Sequence, residues 1–155
     1  MSQERISKYI SYREGVYSKT AKKYGLDNTP NAKQLSAMKN IGKNLFDKLR
    51  EWCGGPVFVS SFFRGDEVNE KVGGSSTSQH YKGEAIDIDD VYEYKTNAEM
   101  FYYIKENLDF DQMIWEFGDD DNPSWVHVSL KLNGKNRKEC LRVRRVNGRN
   151  VYERI

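Results

Sequence analysis

Two stretches in which polar and apolar residues alternate constrain this chain more than any other feature. Residues 84–89 read Glu-Ala-Ile-Asp-Ile-Asp, and residues 125–130 read Trp-Val-His-Val-Ser-Leu. A period of two is the mark of a strand with one face in the core. Ile86 and Ile88 then share the core face, opposite Ala85, Asp87 and Asp89. Val126, Val128 and Leu130 lie opposite Trp125, His127 and Ser129 in the same way. His80 and His127 are the only two histidines among 155 residues. His80 sits in the Gly/Ser/Thr stretch that leads into the first strand, and Gly83 permits the turn between them. Two imidazoles and one carboxylate form the donor set of an open zinc centre, with three protein ligands and a fourth position left free. His80, Asp87 and His127 are therefore the candidate metal ligands. The small Ala85 leaves room beside Asp87.

The pattern Ser78-x-His80-x-x-Gly83-x-Ala85-x-Asp87, followed by Trp125-Val126-His127, resembles the zinc D-Ala-D-Ala peptidase family. That family groups D,D-carboxypeptidases, vancomycin-resistance D,D-dipeptidases and phage L-alanyl-D-glutamate endolysins, with the hedgehog signalling domain as a structural relative. The resemblance runs over roughly residues 56–130. It implies an α+β fold, a small antiparallel sheet with helices packed on one face. It also implies one catalytic Zn2+ ion and a peptidoglycan stem peptide as substrate. Release of a terminal D-alanine is the first expectation, and internal cleavage at L-Ala-D-Glu the second. Arg64 ends a strand where the family's pattern places an arginine; its guanidinium fork suits a substrate carboxylate or a developing oxyanion. Ser78, Gln79 and Trp125 are candidates to orient the ligands or to line the substrate cleft.

Hydrolysis by a metal-activated water also needs a carboxylate to take the proton and hand it to the leaving amine. Glu116 is the candidate, at the end of the apolar run 112–116, where an apolar setting would raise its pKa. The D,D-dipeptidases carry a glutamate three residues before the second histidine, and here that position is Ser124. Asp119, Asp120 and Asp121 are the other carboxylates within reach of that role. A non-catalytic zinc-binding module would keep the ligands and lose the base and the arginine. A phage structural protein would need no metal at all.

Length and composition set the remaining bounds. The chain reads as one domain, with a polar, tyrosine-rich arm over 1–30 and a basic hairpin over 131–155. A net charge of +2 and the lack of any aromatic-interleaved basic helix argue against nucleic acid as a partner. The expected assembly is a monomer. No apolar run reads as a signal peptide or a membrane span. The expected location is the cytoplasm of the producing cell or a phage particle, with action on the wall after release. Cys53 and Cys140 lack ligand spacing and read as buried or free thiols, with a disulfide left open.

Local signals complete the expected order of elements. Asn31 caps a helix whose stripe is Leu35, Met38, Ile41, Leu45, Leu49 and Trp52, stopped by Gly54-Gly55-Pro56. Residues 57–63 read as a strand and 66–72 as a short helix. Thr96 and Glu99 form a capping box for a helix to about residue 107, with a strand over 112–116 after it. Asn147-Gly148 between two β-like runs signals a hairpin.

Overall fold

The computed structural model describes residues 5–155; the first four residues of the expected arm lie outside the described residues. The core is built on one long helical run and a mixed sheet. Helix α3 (Ala32–Ile41) starts at Asn31, whose side chain accepts from Gln34 N while Gln34 returns the bond to the Asn31 backbone. It passes through a π-helical turn (Gly42–Phe46) into α4 (Asp47–Cys53). The single helix expected from the stripe is thus one run with a wide turn in it. Met38, Ile41, Leu45 and Leu49 are fully buried along it. The turn coincides with a crossing: a Cβ on Gly42 would lie 2.9 Å from Ser7 Cβ. Asp47, just beyond, accepts from Ser7 Oγ (2.8 Å), Lys8 N (3.0 Å) and Tyr9 N (3.2 Å). Ile6 and Ile10 are buried in the main core. The start of the chain is a strap anchored to the helix, continuing through α1 (Tyr12–Val16) and α2 (Lys19–Tyr24).

Six strands form one sheet in the order β1-β2-β4-β3-β5-β6. These are β1 (Phe58–Ser61), β2 (Ala85–Asp89), β3 (Gln112–Glu116), β4 (Trp125–Ser129), β5 (Glu139–Val146) and β6 (Arg149–Arg154). The short helix α5 (Asp66–Lys71) follows β1, and α6 (Asn97–Asn107) follows β2 behind its Thr96–Glu99 capping box. Ile86, Ile88, Met113, Trp115, Val126 and Val128 join Met100, Phe101 and Ile104 of α6 and the α3–α4 stripe in one cluster. The polar side of β2 and β4 is left on the opposite face, as the alternation requires.

The sheet is antiparallel except where β3 pairs with β5 in parallel. The expected α+β fold is the one observed, with this single parallel pairing added to an otherwise antiparallel sheet. β4 returns antiparallel to β3, and residues 130–138 then cross the start of β3, so β5 enters on its other edge in the same direction as β3. The basic C-terminal hairpin joins the sheet through β5, while β6 is exposed along its whole length. Asn147 (φ 51°) and Gly148 (φ 76°) make its two-residue turn, in the left-handed conformation such turns need. Cys53 and Cys140 are both free and buried.

Gly83 carries the strongest local demand, since its φ is +76° and a Cβ there would meet the Gln34 carbonyl of α3 at 2.5 Å. Gln34 Nε2 donates to the Tyr81 carbonyl at 2.9 Å, so the loop holding His80 rests directly on the start of α3. Gly83→Ala is expected to cost about 1–3 kcal/mol of stability through backbone strain and that collision. Thermal unfolding of the variant against the parent checks this, and an unchanged midpoint would contradict it.

Candidate metal centre and catalytic cleft

The register of three strands assembles one polar row. Asp87 of β2 lies opposite His127 of β4, and Ile114 of β3 lies opposite His127. The next row carries Trp125 opposite Glu116. His80 reaches the first row from the loop. Its ring is buried and edge-on to His127, with ring centroids 5.1 Å apart. His80 Nε2 lies 3.2 Å from Asp87 Oδ1, and His127 Nδ1 lies 3.0 Å from the same oxygen.

The donor chemistry fits a cation. The Phe62 carbonyl, 2.8 Å from His80 Nδ1, fixes the proton on that nitrogen and turns the Nε2 lone pair toward Asp87. A cation placed between that nitrogen and the Asp87 oxygen would take both as ligands. Bonds of about 2.0–2.1 Å in tetrahedral zinc put neighbouring ligand atoms roughly 3.3 Å apart. The two spacings to Asp87 are close to that, and one donor atom from each of the three residues lies within 4.8 Å of the others. Burial alone would raise the Asp87 carboxyl, but His80 and His127 outweigh it and hold the group well below the usual carboxylate range.

Other side chains take distinct places. Glu116 is half-buried, and desolvation pushes its carboxyl up to about 7; His127 opposes the rise and Asp87 adds to it. Trp125 flanks Glu116 across the strand pair and packs against Phe117 with ring centroids 5.5 Å apart. Arg64 lines a cleft of about 280 Å³ together with Asp87, Ser60 and Ser61 of β1, and residues 17–20 of the N-terminal segment. Its buried Nε makes no hydrogen bond among the described residues. Burial lowers its pKa while Asp87 raises it, and the guanidinium remains charged. Its backbone N–H donates to the His80 carbonyl at 3.2 Å, tying it to the loop it borders. Asn28 stitches the N-terminal wall in place, donating to the Val16 and Phe63 carbonyls and accepting from Gly65 N. Ser78 closes backbone turns on either side of His80, bonding Ser75 and Lys82.

Gln79, beside His80 in the loop, has its Nε2 donating to Asp111 Oδ2 at 2.8 Å. Asp111 is fully buried at the entry to β3 and also accepts from Arg137 Nε, Arg137 NH2 and Arg137 N. Asp119, Asp120 and Asp121 are exposed: Asp119 Oδ1 caps its own turn, and Asp120 pairs with Arg142 of β5. They serve the β3–β4 connection and its contact with the hairpin. Two features escaped the sequence reading. One is Asp111, an acid beside a strand, with nothing local to announce its burial. The other is Tyr152, which lies across from Val143, itself beside Glu116. Burial and the Glu116 charge both raise the Tyr152 phenol. The two-residue Asn147-Gly148 turn fixes the Val143–Tyr152 pairing, but nothing local announces the parallel pairing of β5 with β3.

Comparison with known families matches residues 8–129 to the family described as peptidase M15. The chain is a member of the peptidase M15 family. This is the zinc D-Ala-D-Ala carboxypeptidase-like family, so the M15 match supports a metallopeptidase acting on a peptidoglycan-related substrate. No curated protein matches the chain. The M15 match ends at the last residue of β4, leaving the hairpin β5–β6 beyond it. No helix among the described residues is long and apolar enough to cross a membrane.

The Asp111 cluster joins the metal loop to the segment before β5, and its effect on stability has a defined sign. Burial alone would raise the carboxyl, but the bonds from Arg137 and Gln79 bring it down to about 2. A depressed folded-state pKa contributes stability that is present above the unfolded value near 4 and is lost as pH falls toward 2. That contribution is roughly 2 kcal/mol. Asp111→Asn should lower the thermal midpoint at pH 7 and flatten the loss of stability between about pH 4 and pH 2. Calorimetry across that range reads both effects.

Proposed function

We propose that this chain is a zinc metallopeptidase that hydrolyses a peptide bond in peptidoglycan stem peptides. His80, Asp87 and His127 hold the ion, Glu116 acts as general base and then acid, and Arg64 binds a substrate carboxylate or the developing oxyanion. The observation that carries the reading is the convergence of the two imidazoles on Asp87 Oδ1, at 3.2 and 3.0 Å, on the same sheet face as Glu116. A zinc held by these residues would supply Lewis acidity at the scissile carbonyl. Glu116 would take a proton from the attacking water and return it to the leaving amine, a role suited to a carboxyl poised near neutrality. Trp125 lies across the strand pair from Glu116 and packs on Phe117. Arg64, with an unspent buried donor, offers a charged fork to an anionic oxygen.

Two cut sites fit this machinery. The unpartnered Nε of Arg64 beside Asp87 suits the terminal carboxylate of D-Ala-D-Ala, the first expectation. The second, L-Ala-D-Glu, is favoured by a separate observation: Tyr17 lines the cleft and also a further groove that continues along β1, so the cleft is not closed around a chain end. Mass spectrometry of purified muropeptides after incubation with the zinc-loaded protein identifies the bond. Loss of terminal D-alanine or separation of L-Ala from D-Glu is expected, and intact muropeptides would overturn the reading.

Glu116→Gln should lower kcat by at least about a hundredfold while leaving one zinc bound per chain. If the variant cleaves at the parent rate, Glu116 is not the base. Only the ionised carboxylate accepts a proton, so parental kcat/KM should rise with pH through the Glu116 pKa. That value is about 7 without a neighbouring cation, and a cation lowers it. Residual activity of Glu116→Gln should lack this acid limb.

A further inference from the structure

The cleft beside Asp87 is one end of a longer trench. Beyond Tyr17 the N-terminal segment and β1 enclose a groove of about 380 Å³, lined among others by Tyr9, Glu14, Tyr17, Arg50, Phe58 and Tyr92. Tyr17 belongs to both hollows, and so does β1: Phe58 and Val59 line the groove, Ser60 and Ser61 the cleft. Ser61 lies opposite Asp87. Three residues of strand separate it from Phe58, about 10 Å along the trench. Tyr17, Phe58 and Tyr92 are 57 %, 38 % and 51 % exposed around this one hollow. Phe58 and Tyr92 meet edge to face with centroids 6.3 Å apart, and the Arg50 guanidinium covers the Tyr9 ring at 4.6 Å. Glu14 Oε1 is occupied in capping α1 through Ser11, so only its other oxygen is available at the rim.

Open aromatic faces with a few charged groups at the rim are the complement of a pyranose ring. The axial C–H face of a sugar packs on aromatic carbon, while its equatorial hydroxyls and acetamido group bond carboxylate, guanidinium and phenol. We propose that this groove binds the amino-sugar unit to which the stem peptide is attached. The inference rests on the peptidoglycan reading above and extends it from the peptide to the glycan. The substrate supplies the continuity: a stem peptide leaves its sugar through a lactyl ether. One amino acid and that linker, at about 3.5 Å each, bring the sugar's attachment point to about 7 Å from the metal row, so that the ring itself reaches Phe58. Four residues would overshoot it, so an occupied groove places the cut close to the sugar. The volume suits a single hexosamine, and the aromatic rings hold it without any sequence-specific peptide contact.

The test separates sugar from peptide. Saturation-transfer NMR on the full chain uses the N-acetylglucosaminyl–N-acetylmuramic acid disaccharide without peptide. Transfer to the pyranose protons is expected with the parent and should be lost in Tyr92→Ala. Tyr17→Ala, from a different segment, serves as a second variant whatever the folding of the first. In parallel, kcat/KM is compared for a disaccharide-linked stem peptide and for the same peptide free. The parent should prefer the linked substrate by about tenfold, the worth of one good aromatic contact, and Tyr92→Ala should bring the ratio toward one. No transfer to the disaccharide, transfer indifferent to both tyrosines, or equal rates on both substrates would overturn the glycan site. Failure to cleave either substrate while the disaccharide still binds would instead count against the peptidase reading and leave the groove as a sugar site.

Discussion

Asp87 Oδ1 is the point on which two imidazoles converge, and the surrounding architecture keeps it there. Its two contacts come from separate elements: His127 from the adjacent strand, and His80 from the loop that precedes β2. Neither contact is local. The strand pair is held by its aliphatic undersides, Ile86 and Ile88 against Val126 and Val128, which the long helix and α6 cover. The loop is held by the Phe62 carbonyl on His80 Nδ1, the Tyr81–Gln34 bond and the closeness of Gly83 to α3. Hydrophobic burial on one face thus fixes the coordinates of a polar cluster on the other, where an uncompensated carboxylate would be costly.

The same sheet sets up the acid–base pair of environments. Asp87 and Glu116 stand on one face, one strand apart from His127 on either side. Two facing imidazoles keep Asp87 ionised, while burial, only partly opposed by His127, pushes Glu116 up to about 7. One carboxylate is thereby suited to hold a cation and the other to exchange protons, a division of labour created by environment alone. The hairpin β5–β6 contributes by closing the far side of β3 and bringing Tyr152 toward Glu116.

Much of this was legible in the residues because strand alternation is a strong signal. The faces of β2 and β4 follow from period two, β3 from its short apolar run, and the start of α6 from the Thr96–Glu99 box. The candidate ligands follow from the scarcity of histidine together with that alternation. What escaped was long-range. The β3–β5 pairing is parallel because the chain returns along β4 and then crosses to the other edge of β3, and no local pattern encodes that crossing. Gln79 sits next to a ligand in sequence yet serves Asp111, because the loop turns its neighbouring side chains in different directions. The N-terminal segment read as a polar arm, since Ile6 and Ile10 are isolated apolar residues in it. Only the buried Asp47, holding three consecutive residues, shows why it lies flat on the helix.

The most direct measurement is zinc-edge anomalous diffraction from crystals of the parent chain grown with zinc. The account predicts a single strong peak within bonding distance of His80 Nε2, His127 Nδ1 and an Asp87 carboxylate oxygen, with one coordination position facing the Arg64 cleft. A peak elsewhere, or none with the three side chains directed apart, would contradict it.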